Sequence, residues 1–301
     1  MTCPFLSETR VRGCSAAPCR KLLASPQVSA PGERCGTPRH AECTVFQERG
    51  GSSEGSCPYL EDRLVQFCTA VPVPRYVPYS SPEVTPCGSE AFRYCEAYLA
   101  MAGAHHRGEE VAEGVAAVES LYYATNHLWL DIGGGGLCHI GIDQLLARFL
   151  GRVDHATLLT QRGVGKPTVV LTIQGADWPL TFPSPLLMES ADVRLRANPA
   201  PITADPYGSG WLFSGWIPPG VSHEEMCGNL LHGRRAVAWM RLEAERLAEI
   251  LGGALASPVE GIAVAADGGS VAEGAAAHLV REQLLGVLNR FFPSHVERAW
   301  E

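Results

Sequence analysis

The sequence predicts an α+β chain of several domains, and three features carry that reading. Cysteine is crowded into the first third, where nine of the eleven stand before residue 96. From Leu121 onward, short apolar runs punctuated by glycine predict strands. After Pro218-Pro219-Gly220, apolar residues recur at helical spacing. The expected division is two small Cys-rich modules of helix and loop at 1–48 and 57–102, a β domain at 113–220 and a helical C-terminal region at 221–301. A chain of 301 residues is long enough for such an arrangement.

The two Cys-rich modules are an internal duplication. Cys3-Pro4-Phe5-Leu6 returns as Cys57-Pro58-Tyr59-Leu60, and Val11 and Cys14 return as Val65 and Cys68 at the same offset of 54. After a two-residue deletion, Cys35-Gly36 returns as Cys87-Gly88 and Cys43 as Cys95. The resulting patterns, C-x10-C-x20-C-x7-C and C-x10-C-x18-C-x7-C, form a strong repeat signal. Arg49 to Ser56, rich in Gly and Ser, reads as the linker between copies. Proline directly after each first cysteine suits the first turn of a helix. Leu6, Arg10 and Val11, like Leu60, Leu64 and Phe67, then fall roughly on one helical face. Proline-rich loops follow (Pro26 to Pro38, Pro72 to Pro86), and a short helix is expected to carry each last cysteine.

Four cysteines per copy match the ligand count of a tetrahedral zinc or an iron–sulfur cluster, and the sequence leaves zinc and iron–sulfur undecided. The candidate metal ligands are Cys3, Cys14, Cys35, Cys43, Cys57, Cys68, Cys87 and Cys95. The absence of a C-x2-C knuckle leaves their pairing open. On one straight helix Cys3 and Cys14 would stand roughly 16 Å apart, whereas two thiolates on one zinc need sulfurs about 4 Å apart. Either the helix ends early, or the two serve different sites, as when Cys3 joins Cys43, Cys14 joins Cys35 and the copies complete shared sites. Cys19, Cys138 and Cys227 have no counterparts and read as small buried hydrophobes.

Farther along, Leu128 to Leu130, Leu137 to Ile142, Val169 to Ile173 and Trp211 to Phe213 read as strands, Gly133 to Gly136 as a hairpin turn, and Gln144 to Leu150 as a short helix. His127 is expected to be a strand residue making a hydrogen bond, and Trp129 and Trp211 core aromatics. Met101 to Glu119 reads as a solvated connector. In the tail, Val237, Met240, Ala244, Leu247 and Leu251 make one apolar stripe, and Val280, Leu284, Leu288 and Phe291 a second. A net charge of −8 speaks against nucleic acid as a partner, and no apolar run reaches the roughly 20 residues that span a bilayer. Met1 to Glu8 lacks the basic start and apolar core of a signal peptide, so a cytoplasmic protein is expected. In that reducing setting cysteines suggest metal or redox chemistry before disulfides.

The segment from about Leu121 to Trp216 resembles the H-protein of the glycine cleavage system. Tyr122-Tyr123-x3-His127-Leu128-Trp129 is similar to that family's opening strand, and Gly141-Ile142-Asp143 to its turn into a short helix. Ser184-Pro185 matches the Ser/Ala-Pro after the lipoyl hairpin. Asn198-Pro199 followed by Asp205-Pro206-Tyr207-Gly208-x-Gly210-Trp211 matches the family's ending most specifically. The resemblance implies a barrel-sandwich, lipoyl-domain-like β fold and a carrier lysine at a hairpin tip. Counting eight residues back from Pro185, as the family's spacing demands, lands on Asp177. An aspartate cannot form the lipoyl amide, and lysine stands only at positions 21 and 166.

These readings converge on a non-enzymatic metal- or cluster-binding protein whose degenerate H-protein-like domain serves docking or regulation, with no lipoate expected. Its partner would be another protein, of a redox or one-carbon complex, and the helical tail would offer a homo-oligomer contact. Two alternatives stand beside it: a glycine cleavage or one-carbon carrier with lipoate lost or moved to Lys166, and an iron–sulfur electron-transfer subunit.

Overall fold

The computed structural model describes residues 2–16, 34–51, 54–70, 75–77, 86–102, 108–159, 163–255 and 271–294. The chain divides into two units, Met1–Phe92 and Arg93–Glu301. Cys19, Lys21, most of the two proline-rich loops and His105 to Arg107 lie outside the described residues.

In the first unit, β1 (Leu6–Cys14) and β2 (Leu60–Cys68) pair antiparallel, and β3 (Arg75–Val77) adds to β2. The helix expected at the head of each copy is therefore a strand. Proline after the first cysteine opens a tight turn instead, closed by Leu6 N–H donating to the Cys3 carbonyl (3.0 Å) and Leu60 N–H to that of Cys57 (3.0 Å). The residues that follow, with Ser, Thr, Val and Phe among them, are mediocre helix formers. A lone strand has nothing to satisfy its backbone, and the duplication supplies the complementary edge. All nine residues pair, Leu6 opposite Cys68 and Cys14 opposite Leu60. Gln66 reinforces the ladder by donating to Glu8 Oε1 (2.6 Å). The short helix α1 (Thr44–Arg49) starts directly after Cys43, and its buried Phe46 lies edge-on to His40, centroids 4.8 Å apart.

In the second unit, α2 (Glu96–Ala102) starts directly after Cys95. Part of the expected connector is a hairpin of β4 (Glu109–Ala112) and β5 (Val115–Ala117), where Val115 and Ala117 are wholly buried. Two sheets follow. The larger contains β6 (Tyr122–Tyr123), β7 (Leu128–Ile132), β8 (Leu137–Ile142), β10 (Gly163–Gly165), β13 (Leu186–Ala191), β14 (Phe213–Trp216) and β15 (Leu231–His232), in the order β10-β13-β14-β8-β7-β6-β15. The smaller has β11 (Thr168–Ile173) between β9 (His155–Leu159) and β12 (Ala176–Thr181). Helix α3 (Gln144–Leu150) stands where the sequence places it, with Asp143 as its N-cap.

The tail helices α7 (Arg234–Leu255) and α8 (Arg281–Phe291) follow the short helical turns α4 (Arg194–Ala197) and α5 (Pro201–Ala204) and the helix α6 (His223–Cys227). Their apolar stripes are covered within the unit. Met240, Ala244, Leu247, Leu284 and Leu288 have no exposure, while Val280 is left 52% exposed. Each fully buried Leu or Met is worth about 1.5–3 kcal/mol of transfer free energy, so the tail is part of this core rather than an appendage. Among the described residues no helix is long and apolar enough to cross a membrane.

Candidate functional site

Strands β11 and β12 form a hairpin in which Ile173 faces Ala176, so the two-residue turn is Gln174-Gly175. Both turn residues have positive φ, 50° and 69°, the backbone of a type I′ hairpin turn. Asp177 therefore is not at the tip. It sits in β12 opposite Thr172, and its carboxylate accepts a hydrogen bond from Thr172 Oγ1 (2.7 Å). Positive φ fixes the tip, and it places Gly175 ten residues before Pro185 (185 − 175) rather than eight. Neither turn residue can take an acyl group as lysine does. The tip is also tethered: Gln174 Nε2 donates to the backbone carbonyl of Ala276 (2.6 Å), in the short turn Ala275–His278 of the tail. Lys166 is exposed and stands two residues before Thr168, at the end of β11 away from the tip.

Between the start of β7 and the cap of α3 lies a polar pair that sequence reasoning did not assemble. His127 is not in a strand. It precedes β7 with φ 63°, and its Nδ1 lies 2.7 Å from Asp143 Oδ2, both side chains having no exposure. Asp143 Oδ1 accepts from Leu146 N–H (2.9 Å), so one carboxylate caps α3 and orients the imidazole. The ring is enclosed by Trp239, Phe291 and Phe292, with centroids 5.0, 5.6 and 4.8 Å away. Among the described residues His127 Nε2 has no hydrogen-bond partner. Asp143 was legible as a helix cap, but a pairing sixteen residues apart leaves no local pattern.

The ending motif is built around the same core. Trp129 Nε1 donates to the Pro206 carbonyl (3.0 Å), and Tyr207 Oη donates to that of Ala116 (2.9 Å). Asp205 Oδ2 accepts from Ser209 N–H (2.7 Å) and Oγ (2.8 Å). A Cβ at Gly208 would strike that carboxylate, and one at Gly210 the Pro201 carbonyl, which explains the glycines. Nearby, a cavity of about 360 Å³ includes Glu96, Asp192, Arg194 and Asp205 in its lining. Arg194 forks onto Asp192 (2.8 and 2.7 Å), which holds its guanidinium more firmly protonated than usual. Arg194 also reaches Glu96 (3.0 Å), and Ser209, another lining residue, donates to Asp205, so the charged groups described in that cavity are engaged with one another.

Cys3 and Cys57 are buried, and Cys14, Cys35, Cys43, Cys68, Cys87 and Cys95 partly so. The first unit holds seven of these eight, and Cys95 belongs to the second. Among the described residues no group of three or more His, Cys, Asp or Glu side chains is gathered closely enough to hold a metal ion. The fold does join backbones from different copies: Cys57 N–H donates to the Cys35 carbonyl (2.8 Å) and Cys3 N–H to that of Cys87 (2.8 Å). Cys138 is wholly buried in β8, and burial pushes its thiol up to about 12. Cys227 is pushed up to about 11 for the same reason.

Among known proteins, the glycine cleavage system H protein of Aeromonas hydrophila subsp. hydrophila is 30% identical over 96 residues, 31% of this chain and 74% of that protein. The chain belongs to the glycine cleavage system H protein family. The probable H protein 2 of Saccharolobus solfataricus is 28% identical over 127 residues, 40% of this chain and 82% of that one. The crystal structure of an H protein from Mycobacterium marinum aligns with a TM-score of 0.33 at 22% identity, covering 41% of this chain and 98% of that chain. No family model matches the chain. In this H-protein relative, the segment read from Leu121 to Trp216 falls within the second unit, and the duplicated cysteine modules precede it.

Proposed function

We propose that this H-protein relative binds a metal or cluster through its cysteine modules, has no catalytic activity and carries no lipoate. The H-like unit then docks on or regulates a protein partner. The observation that supports it is the hairpin tip. Gln174-Gly175 offers no acyl acceptor, and the Gln174 amide is held by the Ala276 carbonyl, so the turn is a packing element rather than a free arm. Eight duplicated cysteines, with no disulfide among those described, give the chain a second chemistry. Zinc and iron–sulfur remain the two candidates, because thiolate ligands suit both.

The test is intact mass, metal content and visible absorption of protein purified anaerobically from cells that contain a lipoate ligase. The expected result is an unmodified chain with bound metal, brown if it holds clusters and colourless if it holds zinc. A mass increase of one lipoyl group would overturn the loss of the carrier role. Lys166, exposed near the base of the hairpin, is where such a group would then be sought.

A further inference from the structure

We infer that the first unit carries two matched redox pairs, Cys35 with Cys57 and Cys3 with Cys87, each closing to a disulfide by exchange with a small-molecule disulfide of the glutathione type. The inference goes beyond the metal-binding reading and does not rest on it, because a disulfide needs two sulfurs where a thiolate metal shell needs more.

Two backbone bonds carry it. Cys57 N–H donates to the Cys35 carbonyl and Cys3 N–H to that of Cys87, both at 2.8 Å. Residues joined by one such bond hold their Cα atoms within about 6.5 Å of each other, inside the roughly 4.4–6.8 Å that a disulfide spans. The strands keep the other first and second cysteines apart. β1 runs extended from Leu6 to Cys14, roughly 27 Å at about 3.4 Å per residue. Cys3 is turned in at the Leu6 end and Cys57 at the Leu60 end, each by a bond to its carbonyl. Cys3 and Cys14 therefore mark opposite ends of β1, and Cys57 and Cys68 opposite ends of β2.

The arrangement occurs twice by symmetry. Arg10 faces Leu64, its own counterpart in the repeat, so a pseudo-twofold axis passes between them. It exchanges Cys3 with Cys57 and Cys87 with Cys35, so the repeat has kept the same junction at both ends of the ladder. Each pair takes one cysteine from each copy, and neither copy makes it alone. Burial also divides the roles alike: Cys57 and Cys3 are buried, while Cys35 and Cys87 are partly exposed. The accessible thiol meets the oxidant first. As thiolate, Cys35 attacks one sulfur of the small disulfide and expels a thiolate. Cys57 then attacks Cys35 Sγ in that mixed disulfide and expels the second thiolate. The two protein thiols give up two protons and two electrons, and two small thiols leave. Cys87 and Cys3 follow the same course, and an excess of small thiol reverses both. A closed pair ties the two copies together across the sheet and removes its sulfurs from any metal.

The experiment equilibrates the reduced full chain with stepped ratios of reduced to oxidised glutathione, traps remaining thiols with an alkylating agent and maps cross-linked peptides without reduction. The expected products join Cys3 to Cys87 and Cys35 to Cys57. Before alkylation, the intact mass should fall by about 4 Da, two hydrogens for each disulfide. C3S/C87S and C35S/C57S should each keep one disulfide, and C3S/C57S neither. The wild-type map needs no variant, so a misfolded serine variant does not blunt the test. A Cys14–Cys57 or Cys3–Cys68 cross-link in their place overturns the inference, as do four thiols that stay alkylatable in oxidised glutathione alone. A parallel sample is loaded with Zn²⁺ first, and bound zinc should slow both closures several-fold. If the reduced chain takes up no Zn²⁺ but both cross-links form, zinc binding fails while the redox pairs stand.

Discussion

Replacing Asp143 with alanine removes two interactions at once, and the structure fixes how much each should weigh. The Oδ1 bond to Leu146 N–H is the side-chain cap of α3, and losing such a cap costs about 1 kcal/mol. The Oδ2 bond to His127 Nδ1 lies at zero exposure among Trp239, Phe291 and Phe292. Both side chains have no exposure, and stranding a buried imidazole nitrogen costs a further 1–3 kcal/mol or so. The sum, about 2–4 kcal/mol, is a large share of the 5–15 kcal/mol that typically holds a domain together. All six tryptophans fall in the second unit, so urea unfolding of the full chain followed by tryptophan fluorescence reads that unit. With a slope near 2.5 kcal/mol per molar, the midpoint should fall by about 1 M. Asp143→Asn, which keeps an oxygen for Leu146, should lose about half as much. A D143A midpoint within about 0.2 M of wild type at unchanged slope would refute the reasoning.

Two further perturbations probe the same core. At Gly141 a Cβ would fall 2.5–2.8 Å from three atoms of the Trp129 indole, itself pinned by its bond to the Pro206 carbonyl. Gly141→Ala should therefore destabilise the unit by about 1–3 kcal/mol through overpacking, and an unchanged urea midpoint would count against it. Truncation after Pro219 removes α7 and α8, which enclose His127 and fill the core with Met240, Leu247, Leu284 and Leu288. The expected result is loss of solubility or of the near-ultraviolet circular dichroism signal. A soluble truncated chain with native tryptophan spectra would show that the tail is dispensable.

What the sequence made legible follows from how local each determinant is. Strand β8 and helix α3 fall where the apolar run and the Asp143 cap place them, because both signals lie within a few residues. The ending from Asp205 to Trp211 is legible for the same reason, since its glycines and carboxylate act on one another within a single turn. The Cys-Pro openings misled because the apolar positions of a nine-residue segment fit a helical face as well as a strand. What settles the matter is pairing with a segment 54 residues away. Trp211 was expected to start a strand, but the ladder begins at Phe213, because Trp211 closes the preceding turn through its N–H to the Gly208 carbonyl (3.3 Å). Asp177 was misplaced by counting from Pro185. The number of residues between landmarks varies freely in a loop, whereas backbone at positive φ marks the tip directly.

The tip and the tail both bear on the proposal that the second unit has lost the carrier role. A carrier lysine must swing, so the turn that bears it needs open solvent and a base that leaves it alone. Here the tail makes three separate ties to that end of the unit: Gln174 to Ala276, Gly274 N–H to the Arg148 carbonyl (2.8 Å), and Arg148 Nε to the Val271 carbonyl (2.6 Å). Gly151 and Gly274 are packed backbone to backbone, with no room for a Cβ on Gly151. Each tie satisfies a polar group that would otherwise need water, and each makes opening of the tail costlier. Loss of the lysine and closure of the tail therefore act in one direction. If the unit delivers no acyl group, as proposed, a mobile turn is of no use to it, and an anchored one would lose less entropy on docking to a protein partner.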